Sequence, residues 1–226
     1  QEKEAYRKPL EFRFNSQSSG NATTTLSNNQ ATIMNQEEKV LQIVRAASPY
    51  DLVNTRYVTT MVIDSISKGS EEGGEEKERS SCFVVGVVAS SDSKVSSSEN
   101  TIEDIGFGFN FITKEFVGGG GKSDQHMEDI NILKKPAVES MSDIKAGDNV
   151  TTTFTTSSKS IRLEVAINGI LVGVASKRAD IDTTWTFAIG LLGQQGITVE
   201  KALILDKMTV ADAENMAGEY EIIVSL

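Results

Sequence analysis

The stretch IRLEVAINGILVGVAS, residues 161–176, predicts a β-hairpin. Its central pair, Asn168-Gly169, is favoured in a two-residue type I′ turn, where both positions need a positive φ. With that pair as the loop, one face of the hairpin carries only branched apolar side chains, in three facing pairs: Ile167 with Ile170, Val165 with Val172, and Leu163 with Val174. A shift of one residue would break this division of faces, so the pattern predicts antiparallel β structure in this register.

Other stretches of the chain show the same β character. The apolar residues alternate or run continuously in RYVTTMVIDSI (56–66), CFVVGVVA (82–89), IGFGFNFI (105–112), WTFAIGLL (185–192) and ITVEKALIL (197–205). Phe107, Phe109 and Phe111 share one face of their strand, and Trp185 begins an aligned apolar row typical of a core. About a dozen strands at short spacing with little helix predict an all-β, two-sheet antiparallel sandwich.

At 226 residues the chain suits one large β domain or two small ones, and we expect a single domain over 1–226. A chain of 226 residues buries a core without disulfides or metals. The one cysteine, Cys82, lies in an apolar run, where a buried unreactive thiol is expected. The lack of an internal disulfide favours an intracellular, reducing compartment.

The net charge of −10 argues against direct nucleic-acid binding, and no apolar stretch reaches the length of a membrane span. The oligomeric state stays open.

Several segments stand apart from the strand pattern. The Gly-, Ser- and Glu-rich stretch 67–81 and the long connection 117–147 are expected to be mobile loops. Whether 67–81 is an acidic docking segment or only a linker stays open. Residues 209–218 predict a short C-terminal helix that ends at Gly218. The terminal stretches 11–17 and 219–226 could pair as one added edge strand.

The motifs that would carry chemistry are incomplete. GGGGKS (118–123) has Phe116 where a phosphate-binding loop needs its first glycine. His126 is the only histidine, which excludes a two-histidine zinc site. No strand carries the alternating carboxylates of sandwich-fold glycosidases. The sequence therefore predicts no catalytic, metal-binding or cofactor-binding residue, and no enzyme.

The stretch 147–175 matches the pattern "G-D-x-V, strand, then I-x-F-x-x-N-G-x-x-x-G-V-A", and the strand order resembles the SPRY domain, a concanavalin A-like sandwich. Four further stretches carry the likeness, which spans 26–200: LSNNQATIMN, RYVTTMVIDSI with SCFVVGVVAS, IGFGFNFITKEFVGGG, and WTFAIGLLGQQGITVE. The chain departs from the family at Phe187, where proline is usual before the A-V-x-L run.

The resemblance implies a protein-recognition module without cofactor that binds a partner protein or peptide within a larger complex, through loops at one rim of the sandwich. On this sequence the rim comprises loop 45–56, loop 89–104 and the turn after WTFAIGLL. The exposed contact residues expected there are Arg45, Tyr50, Asp51, Arg56, Gln194 and Gln195. Tyrosine and arginine provide large contact areas with directional donors.

Two other functions remain open. A carbohydrate-binding, lectin-like module of the same fold is the first, although the strand IGFGFNFI lacks the paired acids that hold a lectin's metal. An assembly scaffold, whose sandwich supports neighbouring subunits, is the second.

Overall fold

The computed structural model describes residues 8–15, 24–27, 31–35, 41–50, 54–66, 82–89, 105–118, 130–135, 143–178 and 184–207. In these ranges the chain is all β and forms two antiparallel sheets, which confirms the predicted sandwich. The expected helix at 209–218, the strand at 219–226 and Asp51 lie outside the described residues. Within the described part there is no helix long and apolar enough to cross a membrane.

The larger sheet has nine strands in the order β2-β3-β14-β5-β10-β11-β12-β9, with β1 beside β14. Their bounds are β1 Lys8–Pro9, β2 Thr24–Ser27, β3 Thr32–Asn35, β5 Thr55–Ile66, β9 Ile130–Lys134, β10 Asn149–Thr156, β11 Ser160–Ile167, β12 Ile170–Arg178 and β14 Gln195–Lys207. The smaller sheet has five strands in the order β4-β13-β6-β7-β8. These are β4 Gln42–Arg45, β6 Cys82–Ala89, β7 Phe107–Asn110, β8 Glu115–Val117 and β13 Trp185–Leu192.

The main core lies between the two sheets. The smaller sheet contributes the predicted aligned rows, Phe107, Phe109 and Phe111 with Trp185, Phe187, Ile189 and Leu191. The larger sheet contributes Tyr57, Met61 and Ile63 from β5 together with Phe154 and Leu163. The rings of Phe154 and Phe187 meet edge to face across the gap, with their centroids 6.4 Å apart. The predicted placement of the phenylalanine row and of Trp185 in the core is confirmed.

A second apolar cluster covers the outer face of the smaller sheet. Ile105 packs there over two glycines, because a Cβ on Gly86 or on Gly190 would lie 2.8 Å from its side chain. Leu41, Ile43, Val84 and Cys82 complete the cluster. Both faces of β6 are therefore buried, as the continuous apolar run CFVVGVVA indicates.

The hairpin at 161–176 forms with the predicted turn but not with the whole predicted register. Asn168 and Gly169 have φ values of 50° and 79°, and Ile167 pairs with Ile170. A β-bulge then shifts the pairing by one residue. The predicted pairs Val165 with Val172 and Leu163 with Val174 are therefore wrong, since Val165 pairs with Gly173 and Leu163 with Ala175. The extra residue, Val172, inverts the faces of the residues that follow it, so Ala175 rather than Val174 enters the core.

The prediction of one irregular connection over 117–147 is wrong for residues 130–134. These residues form β9, which pairs antiparallel with β12 and extends the larger sheet by one strand. Ile130 packs against the core, where a Cβ on Gly118 would lie 2.4 Å from its side chain. The stretch INILK is too short and too polar to be identified as a strand from the sequence alone. It becomes a strand through its pairing with the neighbouring strand β12.

Candidate functional site

The sandwich has two ends, which the strand registers define. At the arch end, β13 leaves the smaller sheet at Leu192, and Gly193 and Gln194 lead to Gln195 in the larger sheet. Gln195 is paired there with Asn35 and with Ile66. At the opposite end, the tyrosine end, Trp185 is paired with Ala89 and bridged to Tyr50.

The predicted contact residues do not form one rim. Arg45, Tyr50 and Arg56 lie toward the tyrosine end, whereas Gln194 and Gln195 lie at the arch end. β13 separates the two groups, and from Trp185 to Leu192 it spans about 23 Å. The prediction that one rim gathers these five residues is therefore wrong.

Tyr50 is a structural residue of the tyrosine end and is buried, so its predicted exposure is wrong. Its ring stacks on Tyr57 at 4.0 Å between centroids, and its hydroxyl lies 3.2 Å from the Thr59 hydroxyl. Its backbone N–H donates to the Trp185 carbonyl at 2.6 Å. Burial raises the pKa of the Tyr50 hydroxyl above its ordinary value. Tyr50 thus joins the two sheets, and its side chain is not accessible to a partner protein.

Arg45 and Arg56 are both half-buried, but they lie on opposite sides of the molecule. Arg45 is paired with Ala188, which belongs to the cluster on the outer face of the smaller sheet. Arg56 precedes the core residue Tyr57, so it lies on the outer face of the larger sheet. The two arginines therefore cannot contact the same small ligand.

The arch end contains buried side-chain amides that the alternation of apolar residues in the sequence did not identify. Gln195 is only 2% exposed, and within the described part of the chain neither its Oε1 nor its Nε2 has a hydrogen-bond partner. Gln42, paired with Leu191 on β13, is also buried and has an unpartnered Nε2. The predicted exposure is confirmed for Gln194 and wrong for Gln195.

Asn35 is a buried amide at the same end whose nitrogen is paired. Its Nδ2 donates to the carbonyls of Leu191 and Gly193, at 3.3 and 3.1 Å. These bonds hold the crossing from β13 to β14, where Gly193 has a φ of 104°. Asn35 is therefore structural, whereas the unpartnered amide of Gln195 and the unpartnered Nε2 of Gln42 need another explanation.

A shallow crevice surrounds the Gln195 amide. Its walls are the end of β5 and the beginning of β6, and its lining residues are Ile63, Ser65, Ile66, Phe83 and Gly196. Ser65 and Ile66 are partly exposed, so the crevice reaches the surface on that side. The crevice has no space for a water molecule in this conformation, so a ligand could enter only if side chains such as that of Gln195 move.

The chemistry available at the arch end is hydrogen bonding. A primary amide offers two donors and one acceptor with two lone pairs. Cys82, at the beginning of β6, is buried, and burial raises the pKa of its thiol to about 12, so the thiol stays protonated at neutral pH. In the described ranges no three His, Cys, Asp or Glu residues are grouped so that they could hold a metal ion.

No family model matches the chain, and no curated protein does. Among solved structures, stonustoxin is similar at 9% identity and a TM-score of 0.49, over 84% of this chain and 27% of that one. The SPRY domain of human HERC1 is similar at 12% identity and a TM-score of 0.49, over 87% and 99% of the two chains. The exoplasmic/lumenal domain of VIP36, solved in a Ca²⁺/Man-bound form, is similar at 6% identity and a TM-score of 0.49, over 88% and 83%.

The chain spans about a quarter of the length of stonustoxin and nearly all of the HERC1 SPRY domain. It is similar in fold to SPRY domains and to a lumenal domain solved with mannose and calcium.

Proposed function

We propose that this chain is a non-enzymatic binding module that recognises an extended segment of a partner protein at its arch end. The observation that supports the proposal is the buried amide of Gln195, which has no hydrogen-bond partner on either polar atom within the described residues. A buried polar group left unpaired costs about 1–3 kcal/mol. A ligand that pairs with it recovers that free energy on binding.

A peptide main chain is the ligand that fits an amide best. The carbonyl of one residue of an extended ligand accepts from Nε2, and the N–H of the same residue, which points to the same side, donates to Oε1, so both unpaired atoms of Gln195 are used. Ile66 and Phe83 offer apolar contact to a neighbouring side chain of the ligand. The proposal requires the Gln195 side chain to turn toward Ser65 and Ile66, where the crevice is open.

Selection from a random twelve-residue peptide library against the full chain tests this function. We expect selected peptides to lose affinity at least tenfold with Gln195→Met, which keeps the length of the side chain and removes both polar atoms. Arg45→Gln, toward the other end of the sandwich, serves as the control and should leave the affinity unchanged. Peptides that depend on Arg45 and not on Gln195 would place the site on the outer face of the smaller sheet instead.

Carbohydrate binding is the second candidate, because the same amides can donate to and accept from sugar hydroxyls. A glycan array, probed with and without calcium, separates the two functions. Glycan binding that is lost with Gln195→Met, together with a failed peptide selection, would assign the arch end to a sugar. Calcium-dependent glycan binding that ignores Gln195 would contradict the arch-end site altogether.

A further inference from the structure

The turn between β11 and β12 contains an asparagine followed by a glycine, a pair with a chemistry of its own. Asn168-Gly169 is the only such pair in the sequence. The backbone nitrogen of the residue after an asparagine can attack the asparagine Cγ, and glycine has no side chain to obstruct that attack. Both residues are exposed, and beyond its chain neighbours no atom lies within 4 Å of the position of a Cβ on Gly169. Water therefore reaches both residues.

Two hydrogen bonds hold the side-chain amide of Asn168 in place. Its Nδ2 donates to Asp148 Oδ1 at 3.0 Å, and its Oδ1 accepts from the backbone N–H of Asn149 at 2.9 Å. The backbone N–H of Asn168 also donates to the Asn149 carbonyl, at 2.8 Å. Attack on Cγ requires the amide plane to turn toward the Gly169 nitrogen, and that rotation breaks both side-chain bonds. The folded hairpin therefore keeps the pair in an unreactive geometry.

Asp148, the acceptor of the Asn168 amide, is itself fixed by the fold. It is 6% exposed, and its Oδ2 accepts from the backbone N–H of Lys145 at 2.9 Å. Its backbone carbonyl accepts from the N–H of Ile63 on β5 at 3.0 Å. The Asp148 carboxylate therefore stays beside residue 168 for as long as the sheet is intact, whatever side chain residue 168 carries.

We propose that Asn168 is a site of spontaneous deamidation, which the folded hairpin protects and which opening of the hairpin exposes. The Gly169 nitrogen forms a bond to the Asn168 Cγ, the Cγ–Nδ2 bond breaks, and ammonia leaves with the proton that the Gly169 nitrogen gives up. Water then opens the resulting succinimide ring at either carbonyl, which leaves aspartate or isoaspartate at position 168. Nothing is oxidised or reduced, and water is the only co-reactant.

The product does not fit the native hairpin. A carboxylate at position 168 has no proton to donate to Asp148, so two like charges meet at hydrogen-bond distance. Isoaspartate in addition lengthens the main chain inside a two-residue turn that needs a defined φ at each position. A molecule that has opened and reacted therefore cannot close the hairpin as before, and the reaction records the opening permanently. The site does not involve Gln195, so it stands independently of the peptide-binding function.

Mass spectrometry of the tryptic peptide 163–177 measures the reaction. The full chain is incubated at neutral pH, both without denaturant and in urea above its unfolding midpoint. We expect deamidation of Asn168 to be at least tenfold slower in the folded chain, because the reaction requires the open form, whose population is small. Equal rates under the two conditions would overturn the proposed protection.

Two variants of the folded chain locate that protection. Asp148→Ala removes the acceptor of the Asn168 Nδ2, and a hydrogen bond to a charged group is worth about a factor of ten to a hundred. We expect this variant to deamidate about tenfold faster than the natural chain. Tyr50→Phe, which loses one hydrogen bond at the tyrosine end, is the control and should stay within about twofold. Equal acceleration in both variants would mean reaction through global unfolding, and it would overturn the proposal, as would no acceleration in Asp148→Ala.

An exchange of the two side chains tests the effect of the product, and it does not depend on Asp148→Ala being folded. Asn168→Asp represents the deamidated chain and should lower the folding equilibrium constant, measured by urea unfolding, at least tenfold. In the double variant Asp148→Asn with Asn168→Asp, one donor and one carboxylate again face each other, so most of the loss should be recovered. If Asn168→Asp is as stable as the natural chain, or the double variant is no more stable than Asn168→Asp, the proposal is overturned.

Discussion

Replacing Gln195 should stabilise the free protein, although the residue is buried. Gln195→Met keeps an unbranched side chain of the same length and removes two polar atoms that have no partner in the described structure. Removing the penalty of unpaired buried groups is expected to raise the free energy of unfolding by about 1–3 kcal/mol. At this chain length that corresponds to a rise in Tm of roughly 2–12 °C.

Asn35→Leu is the matched control for this prediction. Asn35 is also a buried amide at the arch end, but its Nδ2 donates to the carbonyls of Leu191 and Gly193. The substitution removes both bonds and leaves both carbonyls without them. We expect it to lower the free energy of unfolding by about 2 kcal/mol or more. The two amides should therefore respond with opposite signs.

Urea unfolding without a ligand measures both variants. The midpoint should rise for Gln195→Met and fall for Asn35→Leu, with an unchanged m-value in each case. If Gln195→Met destabilises the protein by as much as Asn35→Leu does, the Gln195 amide is paired in the free state. The arch end would then hold no unpaired Gln195 amide for a partner segment to bind.

Three further substitutions test the packing and the ionisation of buried groups. Tyr50→Phe removes the hydroxyl that lies 3.2 Å from Thr59 and keeps the ring stack, so urea unfolding should show a loss of only about 0.5–1.5 kcal/mol. Gly86→Ala would place a Cβ 2.4 Å from the Phe107 carbonyl oxygen, so we expect a loss of at least about 3 kcal/mol in the same assay, and an unchanged midpoint would contradict the close pairing of β6 and β7. Burial raises the pKa of the Cys82 thiol from 9.0 to about 12, so the unfolded chain ionises first and stability should fall as the pH rises above 9. Cys82→Val should remove that part of the pH dependence, and an identical slope in the variant would contradict the shift.

Local pattern was sufficient for much of the fold. The Asn168-Gly169 turn needs positive φ at both positions, which the structure shows. The phenylalanine row of β7 could be predicted as a core face from the sequence, because successive side chains of any strand alternate between its two faces. The bulge in β12 could not be read in this way. Val174 and Ala175 both suit a buried position, and the fit to neighbouring β9 and β11 decides which of them faces the core.

The candidate site was harder to predict than the fold for two physical reasons. The end of the sandwich at which a loop lies depends on the directions of the strands within the sheets. Those directions place Gln194 and Gln195 at one end and Tyr50 at the other. Burial of a polar side chain at a sheet crossing also leaves no signature in composition. One signal was present in the sequence: Gln42 sits within the apolar run LQIV, where a polar residue at a core-facing position stands out.

The claim that the arch end binds a partner segment is tested most directly by the side-chain amide signals of Gln195 in a two-dimensional ¹H–¹⁵N spectrum. A selected peptide is titrated into the full chain, and the signals of Gln195, Gln42 and Asn35 are followed. We predict that the Gln195 amide protons shift downfield and become protected from exchange, because both polar atoms gain partners. Unchanged Gln195 signals, with shifts confined to residues near Arg45 and Tyr50, would contradict the account.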